Sequence, residues 1–484
     1  MKNSVKTGKW VPHDILARSL RESGQSTLFR EQYLMESAGK AVRIRPFDLG
    51  SPHTRTFHMT WVAFHLCFFG WFGVAPLMAV IREDLGLSQS QVGATVVASV
   101  AITIVVRLII GPLCDRLGPR RTYAGLLILG AIPVFGVGLA DSYESFLLAR
   151  LAIGAIGASF VITQYHTSMM YAPNVVGTAN ALTAGWGNLG GGTTQIVMPL
   201  VLAALVSLGV SEFAGWRLAM TVPGVLLLAT GIAYYLFTRD TPDGDFRELR
   251  ARGAMPPAGA TKGGFGKAAR DYRVWALFIA YAACFGVELT FHNIAAIYYF
   301  DYFDLSVRNA GILAGCFGLL AAFARPLGGW LSDRAAHRVG LHGRVQLLAA
   351  LLLGQGLMLM VFSQMQVLAA ALATMLVFGL FVHMACGATF GLVPFVNREA
   401  LGSVAGIVGA GGNAGAVAAG LLFMGEAVDY RQGLLVIGVA VVACALCTAT
   451  VRFSPRTIVR ERRALRRALS EYQNAPSGSE TGIA

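Results

Sequence analysis

The sequence contains little charge for its length. Asp, Glu, Lys and Arg together make up 13% of its 484 residues, whereas hydrophobic residues make up 55%. Soluble globular chains have about a quarter charged residues. The shortage of charge therefore excludes an ordinary soluble domain and indicates a protein that crosses a membrane many times.

The sequence patterns of an enzyme are also missing. There is no glycine-rich nucleotide loop, no cluster of metal-ligating residues and no set of residues suited to a catalytic triad. We therefore expect no enzymatic activity, no cofactor and no metal. The seven cysteines all fall within apolar runs, so no disulfide framework is implied.

Twelve apolar runs follow a polar N-terminal segment, and each is long enough to cross a bilayer, which takes about 20 residues. Their approximate ranges are 57–81, 91–114, 122–140, 145–170, 177–208, 216–237, 273–300, 309–332, 344–363, 366–395, 402–425 and 432–452. We predict an all-α integral membrane fold with twelve transmembrane helices.

The runs and the segments between them divide the chain into five parts. These are a cytoplasmic N-terminal extension (1–55), an N-terminal six-helix half (56–238), a cytoplasmic linker rich in Gly, Pro and charge (239–272), a C-terminal six-helix half (273–452) and a cytoplasmic tail (453–484). The extension has no apolar run long enough for a signal peptide. Within it, Val11 to Glu36 is either a short docking helix or a disordered arm.

Arg107 is a cation inside the second apolar run. An arginine near the centre of a bilayer costs about 2.5 to 3.5 kcal/mol on insertion scales, so it needs a functional reason. Asp115 and Arg116 mark the end of the run, because they cannot enter hydrocarbon. The helix between Arg107 and Asp115 spans roughly 12 Å. In a hydrocarbon core about 30 Å thick, this places Arg107 near the midplane.

The end of the second run repeats at the end of the eighth. VRLIIGPLCDR, Val106 to Arg116, aligns without a gap with ARPLGGWLSDR, Ala324 to Arg334, at a constant offset of 218. Arg325 is therefore the counterpart of Arg107 and Asp333 that of Asp115. We predict that Arg325 is a second arginine near the midplane.

A second repeat joins the fifth and eleventh runs. GTANALTAGWGNLG, from Gly177, matches GSVAGIVGAGGNAG, from Gly402, with Asn188 opposite Asn413. The chain thus consists of two similar halves in the same orientation, and such repeats place the substrate between them at the midplane. Two arginines on equivalent helices would face one another there, which indicates an anion as the substrate.

These motifs resemble those of a known family. G-xxx-DR-x-G-x-RR after the second run, with the shorter G-xxx-DR after the eighth, resembles the loop signature of the major facilitator superfamily. GWGNLGGG, Gly185 to Gly192, and GAGGNAGAV, Gly409 to Val417, resemble the two nitrate signatures of its nitrate/nitrite porter family. The similarity extends over about Ser51 to Arg456 and is closest to the high-affinity nitrate transporter branch. It implies two parallel six-helix repeats and transport of nitrate, or of nitrite as well, by alternating access.

The resemblance and the repeats together indicate a substrate site. Its candidate residues are Arg107, Arg325, Asn188, Asn413, Gly187, Gly412, Phe68 and Tyr165. Nitrate is planar and accepts hydrogen bonds through three oxygens, which suits guanidinium planes and amide donors. The glycines have an alternative role in close helix packing, and the aromatic stripe that includes Phe68 has an alternative role in packing.

Glu288 is the one acid well inside a run, with His292 one helical turn later. Both are candidates for proton coupling, but Glu288 is equally suited to be a structural partner of an arginine. For lone histidines such as His65, His166 and His383 we expect satisfied core residues. The candidates for gating are Asp115, Arg116, Asp333, Arg334 and Arg150, and the last has an alternative role in substrate contact.

The leading functional hypothesis is a proton-coupled secondary transporter that imports nitrate. Entry of one negative charge against an inside-negative potential costs about 2.3 kcal/mol per 100 mV, so accumulation requires co-moving protons or an exchanged anion. Nitrate/nitrite antiport is therefore an alternative. A porter of formate, oxalate or cyanate is another, and a transport-dead sensor with the extension or the tail (Ala464 to Ala484) as its output is a third. We expect nitrate, nitrite, protons and membrane lipid as partners of a monomer in the cell membrane.

The net charge of +13 has a distribution typical of membrane topology rather than of nucleic-acid binding. If the runs cross in alternating directions, 32 of the 39 Lys and Arg residues fall on the side of the two termini and the linker. The opposite loops contain only four. By the positive-inside rule, both termini are cytoplasmic.

We predict that a cysteine placed at Arg121 or at Arg338 will react with a membrane-impermeant thiol reagent only from the cytoplasmic side. Both positions lie in loops that the charge asymmetry assigns to that side. Labelling of either cysteine from outside intact cells would reverse the predicted orientation.

Overall fold

The computed structural model describes residues 39–255, 264–305, 313, 315–398, 400–422 and 429–474. The chain divides into two units, Met1–Lys40 and Ala41–Ala484. Only residues 39 and 40 of the first unit are described, so the predicted helix or arm at Val11 to Glu36 lies outside the described residues. All the helices named below belong to the second unit.

Every long regular element among the described residues is a helix, which confirms the all-α prediction. The helices are α1 (Pro52–Phe72), α2 (Met78–Asp84), α3 (Gln89–Leu117), α4 (Pro119–Gly136), α5 (Tyr143–Gly154), α6 (Ser159–Met170), α7 (Val176–Ser207), α8 (Glu212–Ala219), α9 (Thr221–Phe237), α10 (Phe246–Ala251), α11 (Gly264–Ala269), α12 (Tyr272–Tyr281), α13 (Val287–Phe303), α14 (Ala321–Val339), α15 (Leu341–Ser363), α16 (Leu368–Leu392), α17 (Leu401–Leu422), α18 (Tyr430–Ala449) and α19 (Pro455–Asn474).

Eleven spans in the described part of the chain are long and apolar enough to cross a membrane. Several of them join two consecutive helices, such as Tyr143–Met170 and Glu212–Phe237. The predicted eighth run, 309–332, corresponds to α14, which continues to Val339, while residues 306–312 and 314 lie outside the described part. We call the side of the bundle on which α1 begins the terminal side, and the opposite side the far side.

Glycine makes the tight turn after each of the two repeated arginine helices. Gly118 lies between α3 and α4 at φ 87°, and Gly340 lies between α14 and α15 at φ 76°. Residues with a side chain rarely adopt a positive φ of this size. Glycine has no Cβ and therefore allows each turn. Pro119 then begins α4 at a position where no backbone N–H is needed.

Two irregular segments interrupt the helices near the middle of the bundle. Residues Ala282–Gly286 form a π-helical turn between α12 and α13, and residues Ala155–Ala158 form a 3₁₀ segment between α5 and α6. A π turn disturbs the regular hydrogen bonding of the helix and occurs frequently at functional sites. The carbonyl of Ala283 in this turn accepts a hydrogen bond of 2.7 Å from the buried amide of Gln355 on α15.

The C-terminal helix α19 follows the last span and packs on the terminal side. Ala464, Leu465 and Ala468 form its buried face. The buried carboxylate of Glu461 accepts a hydrogen bond of 2.6 Å from Arg398. The predicted tail is thus a docked helix as far as residue 474, and residues 475–484 lie outside the described part.

The linker begins as an ordered segment against the N-terminal half. Asp240 accepts hydrogen bonds from the backbone N–H groups of Arg120, at 2.8 Å, and of Phe246, at 2.9 Å, while Arg120 pairs with Asp245. Burial raises the pKa of Asp240 to about 6 in spite of these two hydrogen bonds. These contacts attach the first part of the linker to the turn between α3 and α4.

Two equivalent contacts join the halves on the terminal side, and we call them the carboxylate locks. Asp333 on α14 accepts hydrogen bonds from the N–H groups of Gly177 (3.1 Å) and Thr178 (2.6 Å) and from the Thr178 hydroxyl (2.8 Å). Arg344 adds an ion pair to Asp333 at 2.7 Å. The carboxylate of one half thus caps the start of α7 in the other half, where unpaired N–H groups and the helix dipole favour negative charge.

The second lock repeats the first. Asp115 on α3 accepts hydrogen bonds from the N–H groups of Gly402 (3.1 Å) and Ser403 (3.2 Å) and from the Ser403 hydroxyl (3.1 Å) at the start of α17. A side chain at Gly402 would overlap the carbonyl of Gly111, so glycine also allows the close approach of α17 to α3. Both carboxylates predicted as gating residues therefore lie between the halves.

We predict that replacing both Asp115 and Asp333 by Ala will open the terminal side of the bundle. Hydrogen bonds to charged groups contribute about 1.5 to 3 kcal/mol each, so loss of a lock should raise the open population about tenfold or more. The distance between spin labels at Arg121 and Arg338, which are both exposed, measures this opening in a background without native cysteines.

A matched control for the locks is Asp84→Asn. Asp84 accepts hydrogen bonds from Trp216 at 2.8 Å and from Arg217 at 2.7 Å, but both partners belong to the same half on the far side. This variant should leave the label distance unchanged. An unchanged distance in the double Ala variant would show that the locks do not hold the halves together.

Candidate functional site

Arg107 is fully buried on α3 and binds only carbonyl groups among the described residues. Its Nη1 donates to the Gly409 carbonyl of α17 at 2.5 Å. Its Nη2 and Nε donate to the Gly157 carbonyl in the 3₁₀ segment at 3.1 and 3.3 Å. These partners satisfy the hydrogen-bond donors but carry no full negative charge, so the charge of Arg107 has no counterion in the described protein.

Arg325 on α14 is equally buried but has an acidic partner. Its guanidinium forms an ion pair with the carboxylate of Glu288 on α13. The amide of Asn188 on α7 lies against the same guanidinium. With its oxygen assigned to the side that faces these donors, the oxygen lies 2.7 Å from Nη2, 2.9 Å from Nη1 and 3.1 Å from Nε. Arg325 is therefore bound by one residue of its own half, Glu288, and by one residue of the other half, Asn188.

One aromatic ring lies beside both arginines. The guanidinium carbons of Arg107 and Arg325 lie 5.6 and 5.4 Å from the ring centre of Phe285. Because both distances are measured to the same ring centre, the two guanidinium carbons are separated by no more than the sum of the distances, about 11 Å. The structure thus brings the two predicted arginines together at one place, as the repeat predicts.

Phe285 belongs to an aromatic group that the sequence interpretation missed. Its ring is stacked on Tyr281, with centres 5.1 Å apart and planes at 9°, and is parallel to Phe160 at 6.2 Å. Phe390 meets Phe160 edge-on at 4.7 Å. The pair Tyr281 and Phe285, spaced i, i+4 shortly before Glu288, was the signal available in the sequence.

The hydroxyl of Tyr281 is a polar group of this site that is available to bind a ligand. Tyr281 is fully buried, and its hydroxyl has no hydrogen-bond partner in the described part of the chain. Buried polar groups are normally paired, and an exception requires an explanation. A hydroxyl in this place is suited to donate to a bound anion.

The signature glycines provide space for the aromatic group. A Cβ on Gly412 would lie 2.5 Å from Phe285 and 3.0 Å from Tyr281, and a Cβ on Gly187 would overlap the ring of Phe64. Close packing thus accounts for both glycines, as the alternative interpretation of the sequence holds. Their contact with substrate stays a prediction.

Three other candidate residues lie beside this site rather than against both arginines. Asn413 is buried and donates to the Val100 carbonyl at 3.2 Å, while its amide oxygen has no partner among the described residues. The buried ring of Phe68 packs edge-on against Phe64 at 4.6 Å. Tyr165 lies near the terminal side, where its hydroxyl interacts with Asp115.

The remaining gating candidates have different environments. Arg116 and Arg334 are exposed on the terminal side, and Arg334 lies over the ring of Trp330 at 5.2 Å. Arg150 is buried and donates to the Trp71 carbonyl at 3.1 Å. None of these three side chains takes part in the carboxylate locks within the described structure, so their gating role stays a prediction.

Glu288 has further polar neighbours. The thiol of Cys386 and Nδ1 of His383, both on α16, lie 3.5 Å from Glu288 Oε2. His292, the predicted proton-coupling partner, is exposed one turn along α13, with its ring edge-on to Phe317 at 5.4 Å. The acid that the sequence singled out is therefore both an arginine partner and the centre of a polar cluster.

Comparison with known proteins gives consistent matches over most of the chain. The sequence model of the Major Facilitator Superfamily matches residues 60–420. The High affinity nitrate transporter 2.5 of Arabidopsis thaliana is 39% identical, over 87% of this chain and 84% of that protein. The Nitrate/nitrite transporter NrtP of Picosynechococcus is 30% identical, over 75% of this chain and 83% of that protein.

Solved structures with a similar fold include two transporters. The proton:xylose symporter XylE is similar with a TM-score of 0.63 and 14% identity, over 85% of this chain and 98% of that chain. FucP in its outward conformation is similar with a TM-score of 0.62 and 14% identity, over 83% of this chain and 100% of that chain. At this level of identity the similarity concerns the fold.

We predict that Arg107→Lys and Arg325→Lys will each reduce binding of nitrate, the anion that the sequence predicts, by tenfold or more. Lysine keeps the positive charge but loses the planar fork, and each arginine here uses two or more of its nitrogens at once. The measurement is the concentration dependence of nitrate uptake. Arg247→Lys, at an exposed position on α10, is the control, and near-normal affinity in either buried variant would contradict the assignment.

Proposed function

Because this chain belongs to the Major Facilitator Superfamily, we propose that it is a secondary transporter that imports nitrate across the cell membrane by alternating access. The observation that carries this proposal is the meeting of two buried arginines, one from each half, at the ring of Phe285. Their convergence supports a small anion as substrate. The names of the plant and cyanobacterial relatives support nitrate, with nitrite as a second substrate.

The aromatic rings and the hydrogen-bond donors at this site support a planar anion as the substrate. The parallel rings of Phe160 and Phe285 are flat surfaces near the arginines, and the guanidinium groups and the Tyr281 hydroxyl are the kind of donors that the oxygens of a planar anion accept from. At a separation of no more than about 11 Å and an effective dielectric of about 20, the two arginines repel by at least about 1.5 kcal/mol. A bound anion removes this repulsion and allows the halves to close around it.

The ion pair between Glu288 and Arg325 supports proton coupling. In the absence of substrate, the carboxylate of Glu288 neutralises Arg325, so an empty carrier can close and return without an anion. Protonation of Glu288 removes that negative charge and frees Arg325 for nitrate. An exchanger needs an anion for every return step, so this internal carboxylate favours symport over nitrate/nitrite antiport.

The carboxylate locks define the state of the carrier within this proposal. With both termini in the cytoplasm, as the charge distribution indicates, Asp115 and Asp333 close the cytoplasmic end. This is the state from which nitrate enters from outside. A monomer in the plasma or inner membrane is sufficient, because the site is formed within one chain.

We predict that Glu288→Gln will lose pH-driven nitrate accumulation but keep nitrate-for-nitrate counterflow in proteoliposomes. Glutamine resembles the protonated acid and leaves Arg325 permanently available, whereas it can no longer exchange a proton. The control is Glu461→Gln, which removes a buried, arginine-paired glutamate far along the chain in α19. Unchanged proton-driven accumulation in Glu288→Gln would make Glu288 a structural partner only and favour antiport.

A further inference from the structure

His383 differs from an ordinary buried histidine. It lies on α16 and is fully buried. Its Nε2 lies 3.1 Å from the Phe317 carbonyl. A carbonyl oxygen can only accept a hydrogen bond, so in the neutral imidazole Nε2 carries the proton and Nδ1 has a lone pair.

That lone pair points to another acceptor. Nδ1 lies 3.5 Å from Glu288 Oε2 and has no hydrogen-bond donor in the described part of the chain. Two acceptors repel each other at hydrogen-bonding distance, and 3.5 Å is longer than a formed hydrogen bond. One additional proton between the two atoms would convert this repulsion into a hydrogen bond that satisfies both.

Two other histidines, His166 and His58, have hydrogen-bond partners at both ring nitrogens. Nδ1 of His166 bonds to the Tyr234 hydroxyl at 2.6 Å, and its Nε2 bonds to the Arg239 carbonyl at 2.7 Å. Nε2 of His58 bonds to the Pro46 carbonyl at 2.6 Å, and its Nδ1 accepts from Trp61 at 3.0 Å. His383 therefore departs from the expectation of a satisfied core histidine, whereas His166 meets it.

We propose that Glu288 and His383 together form the proton-binding site of the carrier and share one proton between Oε2 and Nδ1. This rests on the proposed proton-coupled function and names His383, rather than His292, as the partner of Glu288. A proton between these two atoms belongs to the pair rather than to either residue alone.

The charged and titratable groups around the pair determine when it binds that proton. Arg325 from α14 opposes protonation, because it stabilises the carboxylate. The Cys386 thiol donates to Oε2 and also favours the carboxylate, with Cys284 of the π turn beyond it. His292 lies on α13 one turn from Glu288. Among the described neighbours of Glu288, the lone pair of His383 is placed to gain a hydrogen bond when the proton arrives.

The transport cycle follows with charge conserved. Without substrate, Arg325 is paired with the Glu288 carboxylate and His383 is neutral. A proton entering from outside bridges Glu288 and His383, and the cluster of Arg325, Glu288 and His383 gains one positive charge. Nitrate binding to Arg107 and Arg325 cancels that charge, and both ions leave on the cytoplasmic side. The expected ratio is one proton per nitrate for this site.

The test is nitrate uptake as a function of external pH in proteoliposomes that contain the full chain with His383→Gln. A glutamine amide can still donate to the Phe317 carbonyl, but it cannot take a proton. Glu288 must then bind the proton without its partner, so we expect the pH profile to shift by about one unit or more towards acid. Nitrate counterflow moves no net proton, so it should be kept at an acidic pH at which Glu288 is protonated, and this would show that the variant is folded.

Two further variants distinguish the outcomes. His58→Gln, which removes a satisfied histidine at the terminal side, should leave the profile unchanged. In a Glu288→Gln background, His383→Gln should have no additional effect on the pH dependence, because the two residues act as one site. An unshifted profile in His383→Gln, or a shift in His292→Gln instead, would overturn the assignment of His383.

A spectroscopic measurement on the unsubstituted protein does not require that any variant folds. In pH-difference infrared spectra with isotope-labelled histidine, a histidine band and a carboxyl band should change with the same midpoint. A carboxyl band that titrates without any histidine band would overturn the shared site. Absence of pH-driven uptake by the natural sequence would instead contradict the proposed function, which keeps the two failures distinct.

Discussion

The burial of two guanidinium groups in the middle of the bundle is the constraint on which the rest of the structure depends. Transfer of an ion from water to the protein interior costs several kcal/mol even after relaxation, unless partners compensate for the lost hydration. Arg107 receives carbonyl oxygens from α17 and from a 3₁₀ segment, whereas Arg325 receives a carboxylate and an amide. Glycines at the helix contacts, the irregular segments and the aromatic rings all serve to bring these partners within reach.

The repeat is symmetric where the halves are joined and asymmetric where the chemistry takes place. Asp115 and Asp333 make the same set of contacts to the start of the equivalent helix in the other half. At the arginines the symmetry ends, since Asn188 reaches Arg325 but Asn413 binds Val100. Within the described residues, Arg325 has an acidic partner and Arg107 has none. The symmetric contacts between the halves suit a carrier that opens to each side in turn. The asymmetric centre gives the two arginines different partners and therefore different roles.

Charges and repeats could be predicted from the sequence because they are rare in an apolar chain. Arg107, Arg325, Glu288 and both lock carboxylates stand out for that reason. The aromatic group around Phe285 could not be found in the same way, because Phe160 and Tyr281 resemble the lipid-facing and packing residues of any span. The place of His383 depends on which carbonyl lies beside Nε2, and such a contact between separate helices leaves no trace in local sequence.

The carboxylate locks have a consequence for water. While they are closed, Asp115 and Asp333 satisfy the first N–H groups of α17 and α7, which have no partners within their own helices. When the halves separate on that side, these donors and the two carboxylates must be hydrated at once, because unpaired polar groups are costly away from water. Opening of the gate and entry of water are therefore a single event, and the gate responds to the activity of water as well as to the substrate.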